Sequence, residues 1–127
     1  MIIFMVGLSF SGFSQQNPST EYNSDGSVTT LVQATGKNTV LVKNYDENGK
    51  LLETGTRKDG LKDKSWVSYN SNGSIATIGN FSNGMRDGVW LVFDENGKVK
   101  YEVTYEKNKV INAFDWNASI AASKSDK

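Results

Sequence analysis

The residues best equipped for chemistry are few. Two carboxylate pairs, Asp46-Glu47 and Asp94-Glu95, have the residue types for acid–base work or for holding calcium. Each pair stands directly before an Asn-Gly step, Asn48-Gly49 and Asn96-Gly97, where Asp builds a turn through its own side chain. Neighbours on an extended chain point to opposite faces, so the two carboxylates of a pair do not converge. The spacing of a calcium loop, closed by a bidentate Glu, is missing. Ser and Thr are plentiful, but the 127 residues include no His and no Cys. A serine nucleophile therefore has no imidazole base, and thiolate and ordinary zinc chemistry are excluded. The Gly-rich stretches run into no Gly-Lys-Ser/Thr and open no helix, which removes the phosphate loop. The reading is a protein that is not an enzyme, with no catalytic residue, no metal and no cofactor. A carbohydrate-active protein using Asp and Glu is the weakest alternative.

What remains is aromatic. Tyr45, Tyr69 and Phe93 recur at one spacing, and so do Trp66, Trp90 and Phe114. Rings in such columns either pack between neighbouring strands or form a partly exposed groove that grips a peptide or glycan. Tyr45, Tyr69 and Phe93 are the better binding candidates, because they stand beside the Asn-Gly steps and hence near a sheet margin. Trp66 and Trp90 are the second choice.

The elements that position these rings follow from a 24-residue period. Residues 45–68 (YDENGKLLETGTRKDGLKDKSWVS), 69–92 (YNSNGSIATIGNFSNGMRDGVWLV) and 93–116 (FDENGKVKYEVTYEKNKVINAFDW) align without gaps. Asn-Gly recurs at Asn48-Gly49, Asn72-Gly73 and Asn96-Gly97, while Gly55 matches Gly79, Gly60 matches Gly84 and Asp63 matches Asp87. Residues 22–44 form a weaker copy, one residue short and with Val42 in place of the ring, as expected of a terminal unit. Within a unit the apolar positions alternate. Val99, Tyr101, Val103 and Tyr105 fall on one face of a strand, as do Ile75, Thr77, Gly79 and Phe81. Asn-Gly supplies the first hairpin turn of each unit, and Asp59-Gly60, Asn83-Gly84 and Lys107-Asn108 the second. The fold class is all-β: an elongated, single-layer antiparallel meander of 24-residue hairpin repeats over residues 22–117. Second strands are expected at 64–70, 88–94 and 112–117. The Ala/Ser/Lys-rich residues 118–127 read as a flexible tail.

Charge adds little. Fourteen Lys and Arg balance fourteen Asp and Glu, which argues against a nucleic-acid surface built on bulk positive charge. Arg57, Lys58, Lys62, Lys64 and Arg86 gather near the second turns, opposite the acidic Asn-Gly tips, giving a charge-separated sheet. The start, Met1–Ser14, carries no charge, and its apolar run from Ile2 to about Phe10 is too short to span a bilayer. It fits an export signal cut after Ser14, with Gly12 and Ser14 as the small residues before Gln15, although no Lys or Arg precedes the apolar run; a buried N-terminal strand or helix is the alternative. Residues 15–21 would then link it to the repeats. The expected location is periplasmic or secreted, without membrane association once the signal is removed.

The pattern Gly84-x-x-x-Gly88-x-Trp90-x-x-Phe93, with Asn72-Gly73 leading to Gly79-Asn80-Phe81, resembles the MORN repeat. It is closest to the bacterial variant of that repeat, some of whose members are named antitoxins of toxin–antitoxin systems. The first unit departs from the pattern by placing Lys64 at the second Gly, and the third replaces most of the glycines. The resemblance implies the same meander and a structural motif that transfers no catalytic residue. Together the residues and the resemblance give an exported interaction or scaffold module whose partner is another protein. An antitoxin-like neutraliser of a cytosolic toxin is the rival, and an export signal argues against it.

Overall fold

The computed structural model describes residues 4–6 and 19–125. Its strands are β1 (Phe4–Val6), β2 (Ser19–Tyr22), β3 (Val28–Gly36), β4 (Thr39–Tyr45), β5 (Leu51–Lys58) and β6 (Leu61–Tyr69). They continue as β7 (Ile75–Ser82), β8 (Met85–Arg86), β9 (Gly88–Phe93), β10 (Val99–Glu106) and β11 (Lys109–Asp115), and a helix α1 (Trp116–Ser125) follows. Each strand pairs antiparallel with the next in one sheet, β8 and β9 being two pieces of the same strand interrupted at Asp87. The all-β meander of 24-residue hairpins read from the sequence is the fold.

Local chemistry sets the two margins of the sheet. At the Asn-Gly margin the Gly49 N–H donates to the Asp46 carbonyl at 3.0 Å and the Asp46 N–H to the Lys50 carbonyl at 2.8 Å. Gly49 alone carries the positive φ, +78°, which makes a type I turn closed by a bulged glycine. At the other margin two successive residues are left-handed, as at Asn83 (+49°) and Gly84 (+79°), the geometry of a two-residue type I′ turn. These turns are stitched to the preceding unit: the Gly84 N–H donates to the Lys62 carbonyl and the Asn108 N–H to the Arg86 carbonyl, both at 2.9 Å.

The sheet is one layer, and its packing lies in a single row. Cross-strand register places Val32, Val42, Gly55, Trp66, Gly79, Trp90 and Val103 along one face. Val42 and Trp66, 4% and 3% exposed, are the buried large apolar residues among those described. The glycines explain how a single layer buries an indole. A Cβ on Gly55 would land inside the Trp66 ring, and one on Gly79 inside the Trp90 ring. Each tryptophan therefore lies flat across the backbone of the preceding strand. Its ring N–H then reaches a carbonyl of that strand, Trp66 Nε1 to Thr56 at 2.9 Å and Trp90 Nε1 to Asn80 at 3.0 Å. Where the ring is absent the glycine is absent too: Val32 faces Val42, and Val103 faces Ala113.

Two expectations need correction. The proposed column Trp66/Trp90/Phe114 is broken at its third member. Gly55 pairs with Trp66 and Thr56 with Asp63, so Lys64 and Ser65 are both extra, and β7 likewise faces two extra residues near Gly88. Lys64 (φ +58°) and Gly88 (φ +74°) are left-handed there, whereas the equivalent Asn112 is not. β11 absorbs only one extra residue, Ile111, so Phe114 pairs with Glu102 instead of Val103 and moves to the opposite face. The second correction is the tail. Asp115 Oδ1 accepts the Ala118 N–H at 3.0 Å, an N-cap, and alanines favour the helix that runs to Ser125 where a flexible segment was expected. β11 accordingly ends at Asp115, not 117, and starts at Lys109.

The proposed cleavage site at Gly12, Ser14 and Gln15 lies outside the described residues. Within the same segment, Phe4–Val6 pairs with Thr20–Tyr22.

Candidate functional site

The two aromatic columns occupy opposite faces. Trp66 and Trp90 belong to the packed face, where they join a chain of edge-to-face rings. Trp66–Phe81 centroids are 6.3 Å apart, Phe81–Trp90 5.1 Å and Trp90–Tyr105 5.8 Å, all within the favourable range for such pairs. Trp66, at 3% exposure, offers nothing to a ligand. Phe81 and Tyr105 form a third column that the sequence analysis did not name. The signal was available, since Arg57, Phe81 and Tyr105 stand 24 residues apart.

Cations roof this ladder. Lys62 Nζ lies 4.2 Å from the Trp66 ring centroid and 5.1 Å from that of Phe81, and the Arg86 guanidinium 4.5 Å from the Tyr105 ring. Arg57 stands 6.0 Å from Trp66. Each contact adds modest cation–π attraction and shields the rings from water. Lys62 also pairs with Glu53 at 3.1 Å. Glu53 accepts from Asn44 at 2.8 Å, and Asn44 in turn accepts from Thr30 at 3.0 Å. These residues of the basic cluster thus face inward over the rings and are already engaged.

Tyr45, Tyr69 and Phe93 lie on the other face. Alternation along β4, β6 and β9 sets each opposite in direction to its neighbour Asn44, Ser68 or Val92, which belong to the packed face. All three are half-buried. They line the Asn-Gly margin of a surface whose central row is mixed, with an apolar run of Val67, Ile78 and Leu91 at its middle. Leu31, Val67, Ile78 and Leu91 share that row in register with Lys43, Thr54, Glu102 and the displaced Phe114. Val89, 44% exposed, lies on the same side, and Phe114 is 41% exposed. No such stitching by glycine and indole closes this face.

The carboxylate pairs do turn work. Asp46 Oδ1 accepts the N–H groups of Asn48 and Lys50 at 2.8 and 2.9 Å, and Asp94 Oδ1 those of Asn96 and Lys98 at the same distances. In the 23–27 turn the hydroxyl of Ser27 at 2.6 Å, then its N–H at 2.9 Å, hold the Asp25 carboxyl below its ordinary pKa. Among the described residues no cluster of acidic side chains could hold a metal ion. No described helix is long and apolar enough to cross a membrane.

Comparison with known proteins adds one family. No curated protein matches the chain. Two crystal structures resemble its backbone: TarM, at 12% identity over 94% of this chain and 22% of that one (TM-score 0.44), and a mutant of S. aureus TarM in complex with Fondaparinux, alpha-GlcNAc-glycerol and UDP, at 11% identity over 88% and 20% (TM-score 0.42). The chain thus spans about a fifth of those proteins, and the scores are too low to carry a fold or a function across. The family model of the MORN repeat variant matches twice, at residues 39–59 and 86–107. Those segments are the hairpin β4–β5 and the strands from the end of β8 through β10, each wrapped around an Asn-Gly turn. Over those two segments the chain matches the MORN repeat variant.

Proposed function

We propose that the protein is a non-enzymatic recognition module and that the face bearing Tyr45, Tyr69 and Phe93 holds another protein. The asymmetry between the two faces carries this reading. One face spends its aromatic residues on an internal ladder, seated on glycine and roofed by Lys62 and Arg86. The other carries the half-buried apolar run Val67, Ile78 and Leu91 and three half-buried rings, with neither glycine seats nor a cation roof. Rigid rings rimmed by polar turns are the groups that anchor protein interfaces, and a repeat sheet presents them at fixed intervals. Export through Met1–Ser14 belongs to the same proposal and sets the partner outside the cytosol.

A photoreactive side chain introduced at Val89, on the open face, should capture the partner in the native host, and one at Arg57, on the packed face, should not. Capture from Arg57 alone would overturn the assignment of the face. Intact mass of the protein from that host should begin at Gln15. A full-length chain in the cytosol would instead favour the antitoxin-like reading.

A further inference from the structure

The turns at the Asn-Gly margin come in two kinds. Residues 23–27 and 70–74 read Asn-Ser-Asp-Gly-Ser and Asn-Ser-Asn-Gly-Ser, while 46–50 and 94–98 both read Asp-Glu-Asn-Gly-Lys. Three of these turns therefore carry Asn-Gly at the tip, and Asn48, Asn72 and Asn96 are all exposed. The backbone treats the three alike, since each glycine N–H donates inside its own turn. Gly49 donates to the Asp46 carbonyl at 3.0 Å, Gly73 to that of Asn70 at 2.9 Å and Gly97 to that of Asp94 at 3.1 Å. The carboxamides differ. Asn72 Oδ1 accepts the Ser74 N–H at 2.9 Å and the Ser74 hydroxyl at 2.6 Å, and Asp25 takes Ser27 in the same way. In the other kind of turn Asp46 and Asp94 accept the turn's N–H groups instead. The carboxamides of Asn48 and Asn96 are left with no partner among the described residues. A further Asn-Gly, Asn83-Gly84, belongs to the other margin, where the Gly84 N–H is committed to the Lys62 carbonyl of the preceding unit.

We propose that Asn48 and Asn96 are sites of covalent modification by spontaneous deamidation, and that Asn72 is held back from it by Ser74. In this reaction the nitrogen of the following glycine gives up its proton and attacks the side-chain carbonyl carbon. The side-chain amide leaves as ammonia, and water opens the resulting five-membered imide to aspartate or isoaspartate. The attack needs two movements. The Asn-Gly peptide plane must flip, which glycine permits because it has no Cβ, and the carboxamide must turn its carbon toward the nitrogen. The flip breaks the glycine N–H bond in every one of these turns. Turning the carboxamide breaks no bond at Asn48 and Asn96, whereas Asn72 must first give up both bonds from Ser74. Each conversion adds a carboxylate beside Asp46-Glu47 or Asp94-Glu95, and isoaspartate also lengthens the turn backbone by a methylene. Tyr45 and Phe93 directly precede these turns, so the change falls at the rim of the open face.

Peptide mapping by mass spectrometry of the full chain, incubated in mildly alkaline buffer both folded and in urea, tests this. In the folded chain Asn48 and Asn96 should convert about tenfold or more faster than Asn72. In urea the three rates should converge, since each asparagine is followed by glycine. Ser74→Ala removes the hydroxyl bond and should raise the folded rate at Asn72 about threefold or more, with the rate at Asn48 unchanged. A folded Asn72 that converts as fast as Asn48 overturns the proposal, because its bonds to Ser74 then hold nothing back. So does a rate difference that survives in urea, which would belong to the neighbouring Lys or Ser and not to the fold. Asn48 and Asn96 that stay intact in the folded chain while converting in urea overturn it as well.

Discussion

Replacing Gly79 by alanine adds one methyl group and should cost far more than a methyl usually does. The new Cβ would occupy the volume of the Trp90 indole, and the atoms in conflict belong to a rigid ring and to backbone, so neither bends away. Trp90 must rotate off the strand. It then loses the 3.0 Å bond from its N–H to the Asn80 carbonyl and its edge contacts with Phe81 and Tyr105 at 5.1 and 5.8 Å. Trp90 is half-buried, so unseating it costs less than the about 3–5 kcal/mol of a fully buried Trp, and alanine returns about 0.4–1 kcal/mol by stiffening the unfolded chain. The net expectation is a loss of about 1–3 kcal/mol, a fall in Tm of roughly 5–10 °C for a domain of this size. Urea unfolding followed by tryptophan fluorescence, in a Trp116→Phe background that leaves Trp66 and Trp90 as emitters, reads the stability and the exposure of the seated indoles. Gly36→Ala is the internal control: its φ is not positive, and the nearest atom to an added Cβ is 3.9 Å away. That substitution should be neutral or stabilise by about 0.4–1 kcal/mol. The pair Gly79→Val with Trp90→Val copies the Val32/Val42 solution and should recover stability relative to Gly79→Val alone, with a coupling of about 1–3 kcal/mol. A Gly79→Ala protein as stable as its parent, with an unshifted emission maximum, would refute the seat.

Three further outcomes follow from the same geometry. Lys64 holds φ +58° where the next unit has Gly88, so Lys64→Gly should raise stability by up to about 1 kcal/mol and Gly88→Ala should lower it by about as much, read by urea midpoint. Asp25 is held below its ordinary pKa of 3.8 by Ser27; its contribution is present above that value and is lost as pH falls through the lower folded-state pKa. The Ser27 amide shift should therefore titrate in acid while that of Ser74, bonded to the uncharged Asn72 at 2.9 Å, stays put. Asp115→Ala removes the cap of α1 and should melt that helix by about 0.5–2 kcal/mol, seen as lost helical dichroism with the sheet signal intact.

The architecture was legible because spacing and alternation determine it. Equal 24-residue rows, Asn-Gly steps and period-two apolar positions specify hairpins whatever their detailed register. Faces were harder. Tyr69 and Trp66 are three residues apart on one strand, and alternation alone puts them on opposite sides. The fate of Phe114 was not legible, because equal spacing in sequence is not equal pairing in the sheet. It turns on whether a strand absorbs two extra residues or one, and thus on the backbone at Lys64, Gly88 and Asn112. The glycine seats were visible as the recurrence of Gly55 and Gly79, but their meaning lies in a contact to a ring 11 residues further on, across a turn. The helix was not legible because its cap, Asp115, belongs to the last strand.

The division of labour between the faces is most directly tested by measuring stability and partner affinity together for Trp66→Ala and Tyr69→Ala, using the partner captured from Val89. Trp66→Ala should lose about 3–5 kcal/mol of stability with affinity per folded molecule unchanged. Tyr69→Ala should keep its melting temperature within a few degrees while affinity falls by about 2 kcal/mol or more. The reverse pattern, a Tyr69→Ala protein that unfolds yet binds normally when folded, would make the open face a second packing surface and contradict the recognition role assigned to it.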